Sequence, residues 1–264
     1  MKVLLHSILL LALLACNASK TQNTSTGAIN ASAPYKWTAT FPRTMAVSQD
    51  FDANEHTAIQ LMSTAWKSSV SNTVTWISYG ADTSEVALTN LDALYDGVMG
   101  IYKSAHWPSN LPGSALAVTQ IFGRRYNTGS STEFVNIEHA DILVNYDFYT
   151  FDTVDAGPGY DLRTVVLHEM GHFLGLQHKA SSSNSTLSIM YPSIGSTEAK
   201  RAPKSLDISD ISSKYGIASS SANPAAMAQR VKYEIKSGDV GEPVKIIYEL
   251  HADGKCVHTF KVLP

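Results

Sequence analysis

Apolar and polar positions along the chain recur with two different periods, and the changes of period divide it into elements. YKWTATFP and MAVSQDF read as an opening strand region. In DANEHTAIQLMSTAWKSSV, Ala58, Ile59, Met62, Ala65 and Trp66 fall at helical spacing, which predicts an amphipathic helix capped by Asp52 or Asn54. TVTWISYG alternates like a strand and ends at Gly80. Residues 81–114 show no clear period and combine a short helix candidate with the turn-rich HWPSNLPG. ALAVTQIFGRRY and EFVNIEHADILVNYDF, joined by NTGSST, predict a β-hairpin. After the Asp- and Gly-rich loop YTFDTVDAGPGY, Asp161 stands at the N-cap position of LRTVVLHEMGHFLGL. Leu162, Val165, Val166, Leu167, Phe173, Leu174 and Leu176 make that helix apolar around most of its circumference, so it should run through the interior and end at Gly175. LDISDISSKYG predicts a last helix, capped near Asp207 and stopped at Gly216. A small-residue linker follows, and renewed alternation toward the C-terminus predicts three strands in a small β unit.

The N-terminus departs from this pattern. Lys2 precedes VLLHSILLLALLAC, an apolar run too short to span a bilayer comfortably and shaped like a secretion signal. Its end, Leu13-Leu14-Ala15-Cys16, resembles a bacterial lipobox, in which the cysteine is acylated and becomes the mature N-terminus. The polar NASKTQNTSTGAINASAP beyond it reads as a flexible tether. The expected organisation is therefore a signal peptide over 1–15, a lipidated tether over 16–34, an ordered domain over 35–217, a linker over 218–229 and the β unit over 230–264. Lipidation would place the protein in the cell envelope, at the outer membrane if the host is Gram-negative. An ordinary signal peptide, with Cys16 incidental, would make it a secreted soluble protein instead. The chain has two cysteines, so a lipidated Cys16 leaves Cys256 without an intramolecular disulfide partner. A net charge of −3 over 264 residues offers no polyanion-binding surface and argues against nucleic acid as a partner. We expect a monomer.

The chemistry concentrates in LHEMGHFLGLQHKA, residues 167–180. Residues four apart on a helix sit about 40° apart around the axis, so His168 and His172 project from one face and can close on one ion. Gly175 can take a positive φ, end the helix and swing His178 back toward the other two. Three neutral imidazoles with a fourth position left open are the donor set of a catalytic zinc rather than a structural one. Glu169 neighbours a ligand but points elsewhere, so it is placed to act as general base on water at the open position. HExxH alone recurs by chance, whereas the five fixed positions of HExxHxxGxxH are far more specific. Core histidines without a metal would leave several buried polar groups unpaired, at a cost of several kcal/mol.

The segment from His168 to His178 resembles the zinc-binding segment of the metzincin metallopeptidases. Ser188-Ile189-Met190-Tyr191-Pro192 is similar to the methionine turn of that class, and its Tyr-Pro resembles the matrixin branch. ADILVN at 140–145 and LDISDISSKYG also look matrixin-like, and the resemblance spans about 35–217. It implies an α+β zincin domain: a twisted mixed sheet, the zinc helix, the methionine turn and a C-terminal helix, with a protein or peptide substrate in the cleft. It further implies one catalytic zinc on His168, His172 and His178, and Met190 as a floor beneath it. By the same resemblance Tyr191, Pro192, Ser193 and Ile194 wall the pocket for the substrate side chain. Vertebrate matrixins carry a structural zinc, calcium sites and a substrate-pairing edge strand between the ADI strand and the zinc helix. Only residues 146–160, without a histidine, occupy that place here. A second zinc is therefore not expected, and calcium at Asp141, Asp147, Asp152 or Asp155 competes with a solvated acidic loop as the reading of those residues. His56, His106, His139, His251 and His258 read as surface or packing residues.

The resulting function is a lipid-anchored zinc endopeptidase, with Glu169 activating water. The competing reading is a surface binding or adhesion lipoprotein whose zinc is structural only, with the C-terminal β unit as its functional module. Glu169 weighs against it, because a structural site has no use for a base.

Overall fold

A computed structural model describes residues 33–83, 91–154, 157–217, 233–253, 255 and 257–264. The expected signal peptide, Cys16 and the tether as far as residue 32, the linker at 218–229, Asp155 and Cys256 lie outside the described residues, whereas Ala33, at the end of the expected tether, is buried. The opening region forms two strands, Tyr35–Lys36 (β1) and Arg43–Val47 (β2), followed by a helix over Ala53–Ser69 (α1) and a strand over Ile77–Tyr79 (β3). Asp52 is the N-cap of α1: its Oδ1 accepts from the amides of Asn54 and Glu55 at 2.8 and 2.9 Å, and Glu55 Oε2 accepts the Asp52 amide at 2.7 Å. This reciprocal capping is encoded by an acid at the cap and another three residues on.

The stretch without a clear period contains a 3₁₀ turn at Leu91–Leu94 and a strand at Gly100–Ser104 (β4). The expected hairpin is present as Ala115–Tyr126 (β5) and Phe134–Asn145 (β6), paired antiparallel with a register shift at Phe122/Gly123. Short strands at Phe151–Asp152 (β7) and Tyr160–Asp161 (β8) lead into the histidine helix, Leu162–Phe173 (α2). The last helix is Ser205–Tyr215 (α3), and two strands, Glu242–His251 (β9) and Val257–Val262 (β10), end the chain.

The main sheet runs β10-β9-β5-β6-β4-β2-β3, with β1 pairing β6 off that path. β2, β3, β4 and β6 are mutually parallel, whereas β5 runs antiparallel to β6 on one side and to β9 on the other. The C-terminal alternation does form strands, two among the described residues, but they extend the main sheet rather than standing apart from it. Residues 233–235, the described part of the VKYEI run expected to form a third, are not in a strand.

One face of the sheet packs on α1 and α2, where Ile59, Trp66, Ile121, Ile142, Val166 and Leu167 share a buried cluster. The other face is covered by the 91–114 stretch: Leu91, Leu94, Trp107 and Leu111 pack on Val118, Leu143 and Ile247. Because both faces are covered, β5 is buried along almost its whole length and shows no polar face.

Glu55 ties these layers together. Besides the helix cap, its carboxylate accepts from Lys103 Nζ on β4 at 2.8 Å and from the Tyr146 hydroxyl at 2.7 Å. Glu55→Ala would strand a cation and a hydroxyl in a largely buried site, so we expect a loss of about 3 kcal/mol in urea unfolding. A loss under about 1 kcal/mol would show that water replaces the carboxylate without penalty.

Candidate metal centre

The helix that carries the histidines is held from several sides. Asp161 caps its start by accepting the Thr164 amide at 2.8 Å, and the same carboxylate pairs with Arg201. Three aromatic side chains donate to its carbonyls: Trp66 Nε1 to Leu167 at 3.1 Å, Trp37 Nε1 to Phe173 at 2.7 Å and the Tyr215 hydroxyl to Leu174 at 2.9 Å. The chain then turns at Gly175, whose φ is 84° and where a Cβ would overlap the Tyr35 carbonyl. Both facts require glycine, and the turn returns His178 to the helix.

The three imidazoles meet through their Nε2 atoms, at 3.1 Å for His172–His168, 3.1 Å for His172–His178 and 3.3 Å for His168–His178. His168 Nδ1 donates to the Ile189 carbonyl at 2.7 Å and His172 Nδ1 to the Leu176 carbonyl at 2.8 Å. With each Nδ1 carrying the proton, the Nε2 lone pairs of both rings face inward. Burial lowers the pKa of His168 to about 4 and holds those of His172 and His178 well below the usual histidine value, so the rings stay neutral. Three nitrogens bound to one ion at about 2.0–2.1 Å in a tetrahedral array lie about 3.3 Å apart. The observed spacing therefore fits zinc. Among the described residues, these three are the group of His, Cys, Asp or Glu side chains close enough to share an ion.

Glu169, which follows His168 on α2, is fully buried. Its Oε2 accepts from the Thr119 hydroxyl at 2.5 Å, while Oε1 has no partner among the described residues. Burial raises its pKa to about 8, against the lowering effect of the Thr119 hydrogen bond. Sequence reasoning missed Thr119, since one threonine on an apolar strand carries no signal of its own.

Met190 is fully buried under the helix, and a Cβ at Gly171 would overlap its Sδ. The methionine turn is fixed by Asp207 of α3, which is at the third helical position rather than the cap. Its carboxylate accepts from Ser188 Oγ at 2.5 Å, from the Ile189 amide at 2.9 Å and from the Lys204 amide at 2.7 Å. Pro192 and Ile194 are buried, Tyr191 and Ser193 half-buried, and Ser193 forms a parallel β-bridge with His251 of β9.

Several candidates fall elsewhere. Asp141 is buried, accepts the Gly100 amide at 2.9 Å and pairs with His139 at 2.7 Å. Asp147 accepts the Trp107 amide and Asp152 the Gly159 amide, so the described aspartates serve backbone amides and do not gather three carboxylates at one point. The described residues among 146–160 contain no long strand; the strand that bonds Glu169 is β5, before the ADI strand. His56 binds the Ser48 carbonyl, His106 is exposed, and His251 pairs with Glu249. His258, read as a surface or packing residue, stacks on Tyr248 at 5.6 Å. Tyr248 itself, unnoticed in the sequence, stacks flat on His172 at 4.1 Å and 8° and meets His178 edge-on at 5.5 Å.

The mixed sheet, the histidine helix and the turn beneath it are those of a metzincin-type zinc metallopeptidase. The matrixin family profile matches residues 38–216, and the chain belongs to the matrixin family. A comparison with curated proteins finds no match.

Asp207→Ala would release the turn that presents the Ile189 carbonyl to His168. We expect zinc affinity to fall at least about tenfold in a chelator competition, with helix content by circular dichroism retained. An unchanged affinity would mean that packing of Met190 alone holds the turn.

Proposed function

We propose that the protein is a zinc-dependent endopeptidase in which His168, His172 and His178 hold one zinc and Glu169 is the general base. The observation that supports this best is a buried carboxylate with one oxygen tethered to Thr119 and the other unpaired among the described residues, on the helix that carries two of three converging imidazoles. When bound, zinc supplies Lewis acidity, polarising the scissile carbonyl and easing deprotonation of water. The chain's own contribution is orientation and proton movement. Thr119 fixes Oε2, which leaves Oε1 to take the proton from the attacking water and to deliver it to the departing amine. Burial favours the protonated form that this delivery needs, and a nearby dication acts in the opposite direction to favour the base. Met190 packs beneath the ligands, and Tyr191, Pro192, Ser193 and Ile194 would line the pocket for the residue after the scissile bond. The Leu-Leu-Ala-Cys signal supports export and anchoring through a lipid on Cys16, which would place the domain at the envelope surface at the end of its tether.

Glu169→Ala should retain one zinc per chain by metal analysis while casein cleavage falls at least about 100-fold. Retained cleavage would remove Glu169 from the mechanism. Stripping the metal with a chelator should abolish cleavage and added zinc should restore it, whereas cleavage that persists in metal-free protein would refute the reading.

A further inference from the structure

The C-terminal hairpin lies where a peptide would have to lie. β9 pairs antiparallel with β5 from Ala115↔His251 to Arg125↔Glu242, so the edge of β5 beside the metal centre is already hydrogen-bonded. At the middle of this pairing Tyr248 stands opposite Thr119, the residue that tethers Glu169. From there its ring covers His172 flat and His178 edge-on. At its C-terminal end β9 runs parallel to the 191–194 segment through the Ser193↔His251 bridge. Its remaining edge is taken by β10, from Val257↔Glu249 to Val262↔Val244.

An extended polypeptide reaches a buried metal and base most directly by adding a strand to the neighbouring sheet edge. Here that edge is β5, and β9 holds the added strand's position, running antiparallel to β5. Val244, Ile246, Tyr248 and Leu250 turn into the core, while Ile247 turns to the opposite face of the sheet. The attachment is reinforced at both ends, by Arg125 Nη2 on Glu242 at 2.8 Å and by Ser114 Oγ with His251 Nδ1 at 3.2 Å.

We propose that β9–β10 is an internal inhibitory segment: it occupies the substrate strand's place, with Tyr248 capping the histidine cluster, and must leave β5 before a polypeptide can bind. The inference rests on the peptidase reading for what the cleft takes. It gives the C-terminal residues a role in latency rather than in targeting or adhesion.

The test uses the full chain with Cys16 and Cys256 changed to Ser, Glu169→Gln to keep bound protein intact, and the pair Gln120→Cys and Ile247→Cys. These two residues are directly opposed on β5 and β9, on the face away from the histidines, and directly opposed strand residues lie within disulfide reach. Fluorescein-labelled β-casein is titrated against the oxidised and the phosphine-reduced protein, with anisotropy as the readout. Reduced protein should bind at least about tenfold more tightly, because only it can populate the open state. Equal affinity in the two states, including no binding in either, overturns the proposal. In the zinc-loaded chain with Glu169 intact, Tyr248→Ala should raise casein cleavage about tenfold. Cleavage at or below the parent rate, in a variant whose circular dichroism is native, also counts against the hairpin. Should the reduced pair with Glu169 restored bind casein and zinc yet never cleave, the peptidase reading fails while the hairpin keeps its place as the strand that blocks binding.

Discussion

Three imidazole nitrogens lie within 3.3 Å of one another, two of them on rings buried in an apolar core, and much of the surrounding structure follows from that one demand. Neutral rings at this separation cannot all direct an N–H toward the centre, so each needs an acceptor on its far side. For His168 the acceptor is the Ile189 carbonyl, which exists at that point only because the methionine turn is in place. For His172 it is the Leu176 carbonyl, which exists there only because the chain reverses at Gly175. Asp207 holds the turn through Ser188 and Ile189, and α3 holds Asp207. The C-terminal half of the matrixin domain is thus largely a device for supplying two correctly placed carbonyl oxygens.

The same logic explains why α2 is anchored by indoles and a phenol. A helix that carries ligands must not drift, since small displacements of a ligand spoil a metal site. Trp66, Trp37 and Tyr215 bring large apolar bodies together with one donor each, so they fill the core and pin α2 carbonyls at once. Gly171 belongs to this arrangement as well: any side chain there would meet Met190 and lift the helix from its support.

Local chemistry was the legible part of the sequence. Asp52 and Asp161 are caps because an acid before an apolar run satisfies the first amides; Asp161 caps its helix as read, and of the two candidates for the first helix it is Asp52 rather than Asn54. The β5–β6 hairpin was legible through its polar turn, and the convergence of the three histidines through spacing plus a glycine. What escaped was non-local. β4 is five residues, GIYKS, within a stretch whose apolar residues face a second cluster across the sheet, so no single period describes it. Thr119 and Tyr248 sit in strands that read as ordinary core strands, and their importance comes from what lies opposite them. Asp207 looked like a cap because it opens a helix; its partners at Ser188 and Ile189 are far away along the chain.

Alternation reveals which side chains share a face, and it is silent about which edge the strand will join. That distinction decides how the C-terminal residues are understood. Read alone, they form a small β unit with room for any role. Joined to β5, they bring Tyr248 against two of the three histidines, although the family match stops at residue 216. The part of the chain packed against these histidines is therefore longer than the part that matches the family. A strand buried on both faces and paired on both edges leaves no side for a polypeptide to approach, so the sheet as folded cannot also be the sheet that receives a substrate. Either β9 yields its place or the histidine cluster is reached by a route that does not use β5, and the ring of Tyr248, flat on His172 and edge-on to His178, favours the first.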